Sequence, residues 1–309
     1  MSNAPLHPDF PKEEFERRYK RARKMMEAAE LDALLVTEEQ NYAYLTGHRS
    51  EQNRLDKVRP HVVLLPLDGD PVIFVMPFEE RDVRLTTWIS SIQVCRFMEH
   101  VKAIGQTLQA MGLSDGTIGC ELGREQHLKM NISDFRALEA RLSDASFVDA
   151  SDILLGLRVV KSPAEVARCR QAAEAAAHAL DRAYEQVKPG MDNREVARLV
   201  RRYVLEEDTE GHTFLTVVSG KDFMGRLESG LSTVPTPRVL ESGDTLTLDT
   251  GALVGGYASD VCRVAVVGRA SQRQKDFYRS MIELHHTCFD ILKAGRTCEE
   301  VAVLCQGEV

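Results

Sequence analysis

Asp249-Thr250-Gly251-Ala252-Leu253-Val254-Gly255-Gly256-Tyr257-Ala258-Ser259-Asp260-Val261-Cys262-Arg263 sets one aspartate on each arm of a β-turn. Leu246 to Gly251 alternates as a strand, the glycine pair reverses the chain, and Tyr257 to Val267 returns. A turn centred on Val254-Gly255 predicts Asp249 directly opposite Asp260, with Cβ atoms roughly 5 Å apart. Like charges so placed destabilise a sheet, and burial makes them costlier. One of the pair can hold a proton, an arginine such as Arg263 can pair with them, or cations can sit between them. Hard divalent ions prefer oxygen donors, and carboxylates on facing strands suit a clamp for two ions about 3.5–4 Å apart. The plainer reading is a solvated hairpin with edge aspartates.

Outward from the hairpin, the C-terminal half reads as long helices and turns. Ser162-Pro163-Ala164-Glu165 is a helix start, with a capping serine, proline at the first helical position and a box glutamate. The Ala-rich helix that follows is predicted to run to about Val187. A repeat then shows: Lys188-Pro189-Gly190-Met191-Asp192-Asn193-Arg194-Glu195-Val196-Ala197 lies on Lys293-Ala294-Gly295-Arg296-Thr297-Cys298-Glu299-Glu300-Val301-Ala302, 105 residues on. Each copy reads as helix end, glycine turn and a capped new helix, with Asp192 or Thr297 as cap and Glu195 or Glu300 as box partner. Three β-rich runs follow the first copy, whereas the sequence stops at Val309 inside the second. A full second half would extend some ninety residues further.

The N-terminal half alternates helix and strand. Phe15 to Glu30 is a charged amphipathic helix and Ala33 to Thr37 an apolar strand. His61 to Leu67 and Pro71 to Met76 form a hairpin around Asp68-Gly69, and helices near 100–111 and 132–141 flank strands at 117–121 and 147–149. That pattern is an α/β layer. The boundary is placed at 156, giving domains 1–156 and 157–309.

Composition agrees with two globular domains: 309 residues, 43% apolar and 28% charged exclude a disordered chain or a small disulfide scaffold. The net charge of −8, with no basic stripe, argues against nucleic acid as partner. The most apolar run, Val62 to Phe78, is cut by Pro66, Asp68, Gly69, Asp70 and Pro71, so no membrane span is expected. Seven cysteines, an odd number without C-x-x-C spacing, fit reduced thiols in a cytoplasmic protein.

The hairpin pattern Asp249-x-Gly251, Gly256-Tyr257-x-Ser259-Asp260-x-x-Arg263 resembles the first metal-binding hairpin of the creatinase, prolidase and methionine aminopeptidase ("pita-bread") metallohydrolases. Gly243-Asp244 before the strand, Leu157 to Glu165, and Tyr44-Leu45-Thr46-Gly47 resemble other parts of the Xaa-Pro peptidase and creatinase branch, in order along nearly the whole chain. The resemblance implies an α/β creatinase-type N-terminal domain followed by an α+β pita-bread domain, here incomplete. It implies two divalent metal ions (Mn, Co or Zn) held by two aspartates, one histidine and two glutamates, with a hydroxide between the ions attacking an amide. Asp249 and Asp260 match the aspartates as metal ligands; the histidine and glutamates would follow Val309, so the 309-residue chain is expected to lack turnover.

Within that resemblance, Ser232 occupies the position of the histidine usual in the peptidases, which puts Xaa-Pro cleavage in doubt. His212 is a candidate for the pocket and Arg263 for orienting the ligands. His285 and His286 are expected as one packed and one exposed helix residue, and Cys262 as a small packed thiol. A short peptide or small amide is the implied substrate and a homodimer the implied assembly. The alternatives are a creatinase-type C–N hydrolase acting on a small zwitterion, or an inactive interaction module.

Overall fold

The computed structural model describes residues 4–50, 61–96, 99–221 and 234–307; Ser232 lies outside them. The chain forms two compact units, residues 1–166 and 167–309.

In the first unit the strands β1 (Ala33–Val36), β2 (Val62–Pro66), β3 (Val72–Val75), β4 (Ser91–Val94), β5 (Thr117–Cys120) and β6 (Ser146–Asp149) make one sheet in the order β4-β3-β2-β1-β5-β6. The expected hairpin is there: β2 and β3 pair antiparallel, Val63 opposite Ile73. β1 lies parallel to β5 and antiparallel to β2. The central strands are apolar throughout because both faces are covered. Leu34, Val36, Val63, Leu65, Ile73 and Val75 enter one core, and Ala33, Leu35, Val62, Leu64, Val72 and Phe74 enter the other. Helices α1 (Lys12–Ala28), α2 (Glu39–Thr46), α3 (Glu80–Thr86), α4 (His100–Ala110), α5 (Ile132–Arg141) and α6 (Ser151–Val159) complete the layers. Sequence reading missed the helices α2, α3 and α6 and the strand β4.

One buried cluster in this unit responds to acid. His48 is 3% exposed, with Nδ1 2.8 Å from Thr86 Oγ1. His61 pairs with Glu79 Oε2 at 2.5 Å. Burial, then the His61 charge, pulls the His48 imidazole from 6.5 down to about 4; Arg49 adds to this, while Glu79 and Asp82 oppose it. The unfolded chain therefore takes up a proton that the folded one refuses between those values. The resulting stability is complete above about pH 6.5 and is lost as pH falls toward 4. Urea midpoints at pH 7, 6 and 5 should record a loss of about 2 kcal/mol. His48→Gln should flatten that slope; an unchanged slope would place the titration elsewhere.

The second unit begins in α7 (Pro163–Gln186), which enters from the first, and continues with α8 (Asn193–Glu206). The helix start is as read: Ser162 N–H donates to Glu165 Oε2 at 2.7 Å, and Glu165 N–H to Ser162 Oγ at 3.2 Å. Both repeat copies carry the expected reciprocal cap. Asp192 N–H donates to Glu195 Oε2 at 2.8 Å and Thr297 N–H to Glu300 Oε2 at 2.7 Å, and Gly190 and Gly295 share a φ of 94°. Strands β7 (His212–Gly220), β8 (Thr245–Val254), β9 (Tyr257–Ala258) and β10 (Val261–Val266) form the sheet, β8 lying between β7 and β10. Leu215, Val217, Leu246, Leu248 and Ala252 pack against Ala176, Ala179, Ala183, Val196 and Val200 of α7 and α8. The small alanines of α7 let its backbone approach the sheet closely. Beyond β10 come α9 (Gln272–Ile291) and α10 (Cys298–Gly307), neither with a buried residue. His285 and His286 are both exposed, not one packed and one exposed.

Candidate metal centre

Strand alternation decides which side chains meet here. The even residues of β8, Leu246, Leu248 and Ala252, face the helices. Asp249 therefore points to the opposite face, and so do its direct neighbours Thr216 on β7 and Cys262 on β10.

The hairpin register differs from the sequence expectation by two residues. Val254 pairs with Tyr257, Leu253 with Ala258 and Asp249 with Cys262. Gly255 (φ 59°) and Gly256 (φ 76°) are the two turn residues. A tight two-residue hairpin of type I′ needs positive φ at both central positions, which Gly255-Gly256 supplies and Val254-Gly255 does not. Asp260 is thus diagonal to Asp249 instead of directly opposite it. A shift of two residues keeps the face, since only an odd slip turns side chains over. The two carboxyl groups remain close enough to act on each other. Burial, then the Asp260 charge, then a hydrogen bond with Asp260 raise the Asp249 carboxyl above its usual range, and Asp249 Oδ1 is buried without a partner.

Gly251 and Ser259 produce this closeness. The chain leaves regular strand at Ser259 and Asp260, and the Ser259 carbonyl crosses directly over Gly251, where any side chain would overlap it. Ser259 N–H donates to Ala252 O at 3.0 Å. Ser259 Oγ accepts from Ala252 N–H at 3.0 Å and donates to Ala172 O of α7 at 2.9 Å. The residue before Asp260 is thereby pinned to both strand and helix. Neither role was read from the sequence, although Asp-x-Gly and Ser-Asp stand within the motif. At the tip, Gly256 N–H donates to Glu210 Oε2 at 3.2 Å.

The other candidates lie apart from the carboxylates. Arg263 pairs in register with Leu248, on the helix-facing side, and its Nη1 donates to Cys262 O at 2.8 Å. His212 pairs with Ala252 before a bulge in β7; burial, then the Arg201 charge, lowers its imidazole below the usual range. Cys262 is exposed instead of packed, directly across from Asp249. Among the described residues, no group of three or more histidine, cysteine, aspartate and glutamate side chains is arranged to hold a metal ion.

A second acidic residue anchors the strand that carries Asp249. Asp244 is fully buried and receives Arg238 Nη1 at 2.7 Å and Glu241 N–H at 2.8 Å. Lys221 Nζ lies 2.9 Å away. Arg238 also donates to Ser219 Oγ at 3.1 Å, and Ser219 donates to Asn193 Oδ1 at 2.8 Å. The Gly-Asp of the sequence is thus a structural keystone joining β7, β8 and the start of α8.

Comparison with known proteins places both units. Residues 18–160 match the creatinase/prolidase N-terminal domain, and residues 167–309 match metallopeptidase family M24. An uncharacterized peptidase of Bacillus subtilis is 26% identical over 285 residues, covering 90% of this chain and 73% of its own. A Xaa-Pro dipeptidase of Pyrococcus furiosus is 24% identical, covering 76% of this chain and 63% of its own. The solved Xaa-Pro dipeptidase from Bacillus anthracis superposes with a TM-score of 0.81 at 22% identity, over 95% of this chain and 77% of that one. The chain therefore spans about two thirds to three quarters of the length of these relatives. No helix among the described residues is long and apolar enough to cross a membrane. The chain thus carries a creatinase/prolidase-type α/β domain over residues 18–160, followed by a pita-bread domain of the metallopeptidase M24 type over residues 167–309.

Proposed function

We propose that the chain carries the first two ligands of a dinuclear metal centre in a hydrolase of the Xaa-Pro peptidase type. The observation behind this is the Asp249–Asp260 contact: two carboxylates on one sheet face, one with a buried unpartnered oxygen. The donor chemistry fits hard divalent cations such as manganese or cobalt, and zinc also accepts carboxylate oxygen. When bound, such ions supply Lewis acidity toward an amide carbonyl. Asp249 and Asp260 would hold the ions through their carboxylate oxygens. Ser259 and Gly251 hold the Asp260 backbone so that its carboxylate meets that of Asp249. The substrate is a short peptide with proline in second place, by likeness to the Xaa-Pro dipeptidases. A cytoplasmic homodimer completes the reading; the seven free cysteines support the compartment.

Asp249→Asn tests the arrangement on two independent axes. Removing one of two crowded charges should stabilise the metal-free chain by about 0.5–1 kcal/mol. The same change should weaken manganese binding, read by titration calorimetry, by on the order of tenfold or more. Asp260→Asn should behave alike. Stoichiometric cation uptake by the wild-type chain supports the hydrolase over an interaction module. Absence of uptake, or variants that bind as well as wild type, would overturn the proposal.

A further inference from the structure

A groove of about 740 Å³ opens on the first unit, between α1, the β2–β3 turn and the segment that leads into β4. That volume lies within the range of small-molecule sites. Its walls carry opposite charge. Residues three and four apart share one face of α1, which brings Lys20, Arg23 and Lys24 to one wall. Glu16 and Glu27 share that wall, but Lys12 holds Glu16 at 3.2 Å, and the cations are in excess. Asp68 and Asp70 of the turn form the other wall. Lys20, Lys24, Asp68 and Asp70 are exposed, and none has an ion-pair partner among the described residues.

Apolar side chains complete the lining, Trp88 and Tyr19 among them. The Trp88 indole N–H donates to Phe10 O at 3.0 Å and the Tyr19 hydroxyl to Leu45 O at 2.7 Å, so both rings are held in place. Arg23 donates to Pro66 O at 3.3 Å and to Gly69 O, which ties the turn to α1. The groove is therefore formed before anything enters it, and that lowers the ordering cost of binding.

A lone anion drawn to the lysines is repelled by Asp68 and Asp70, and a lone cation drawn to the aspartates is repelled by the lysines. A molecule with both charges at the ends of an apolar middle avoids either repulsion. A short peptide with free ends is such a molecule near neutral pH, where its carboxylate and its ammonium are both ionised. We infer that this groove is a binding site for short zwitterionic peptides. Lys20 and Lys24 take the carboxylate end, Asp68 and Asp70 the ammonium end, and Trp88 the apolar middle. The site belongs to the first unit alone and does not depend on the metal centre.

Trp88 is the single tryptophan of the chain, so its emission reads the groove without any turnover. The probe is the tripeptide Ala-Pro-Ala, the reference is its uncharged form acetyl-Ala-Pro-Ala-amide, and EDTA keeps metal out of the second unit. The tripeptide should change the emission saturably, with half-saturation on the order of millimolar, and the capped form should bind roughly tenfold more weakly. Sodium chloride should weaken the tripeptide and leave the capped form unaffected. Lys20→Glu with Lys24→Glu, and separately Asp68→Lys with Asp70→Lys, should each weaken the tripeptide roughly tenfold at an unchanged melting temperature. Titration calorimetry of the same variants reads binding independently of the fluorophore. An equal response to the two peptides, no saturation by either method up to tens of millimolar, or wild-type affinity in either pair of charge reversals would overturn the assignment.

Discussion

Gly251→Ala should cost the second unit about 3 kcal/mol or more, and its hairpin should fail to close. Overpacking a core usually costs about 1–3 kcal/mol because side chains shift to make room. At Gly251 the obstacle is backbone: the added methyl overlaps the Ser259 carbonyl, with Thr213 Oγ1 2.5 Å away. That carbonyl cannot withdraw alone, because the Ser259 N–H and Oγ are tied to Ala252 and to Ala172 of α7. Relief requires the segment carrying Asp260 to lift from β8, which separates the two carboxylates. Urea unfolding and manganese titration should therefore fail together. Gly156→Ala is the control: its nearest obstacle is the flexible Met25 Cε at 2.9 Å, and its cost should stay below about 1 kcal/mol. Equal behaviour of the two variants would show that the 251–259 crossing is not rigid.

The sequence was readable where one local rule acted alone. Ser162, Asp192 and Thr297 cap helices because each is followed three residues later by a glutamate, and the reciprocal bonds form at all three places. Asp68-Gly69 closes the β2–β3 hairpin for an equally local reason. The apolar strands of the first unit announced burial without saying that both faces were covered. The turn of the key hairpin was misplaced although the information was present, since two adjacent glycines are the pair able to take positive φ together. The face survived that error because the displacement was even.

Other features were illegible because they depend on distant segments. Glu121 ends a strand as any solvent-facing glutamate does; its burial arises from Thr37, Glu38 and Asn41, eighty or more residues earlier. The separation of Arg263 and His212 from the aspartates follows from register with Leu248 and Ala252, which no spacing along one strand reveals. Exposure of both His285 and His286 reflects a helix with no buried side, where an amphipathic pattern predicts one.

Asp244→Asn is expected to cost about 3 kcal/mol, the scale for breaking a buried charge pair while its partners remain. Asparagine keeps one acceptor oxygen but turns an NH2 group toward Arg238 or Lys221, donor against donor, and leaves Arg238 beside Ser219 without its counter-charge. The acid limb of stability isolates the ionic part. Burial opposes the Asp244 charge, but Arg238, the Glu241 N–H and Lys221 outweigh it and hold the carboxyl at about 2, from 3.8. A carboxyl so depressed contributes stability that is complete above about pH 4 and is lost as pH falls toward 2, about 2 kcal/mol in all. Wild type should show that loss in urea midpoints between pH 4 and pH 2, and Asp244→Asn should lack it. An acid limb unchanged in the variant would assign it to another carboxylate. Asp244 directly precedes β8, whose first pairs are Thr245 with Val266 and with Gly220. Loosening that end relaxes the strand five residues before Asp249, so manganese affinity should fall in Asp244→Asn although Asp244 is no ligand. Unchanged affinity would show that the Ser259 ties to α7 suffice to hold the carboxylates together.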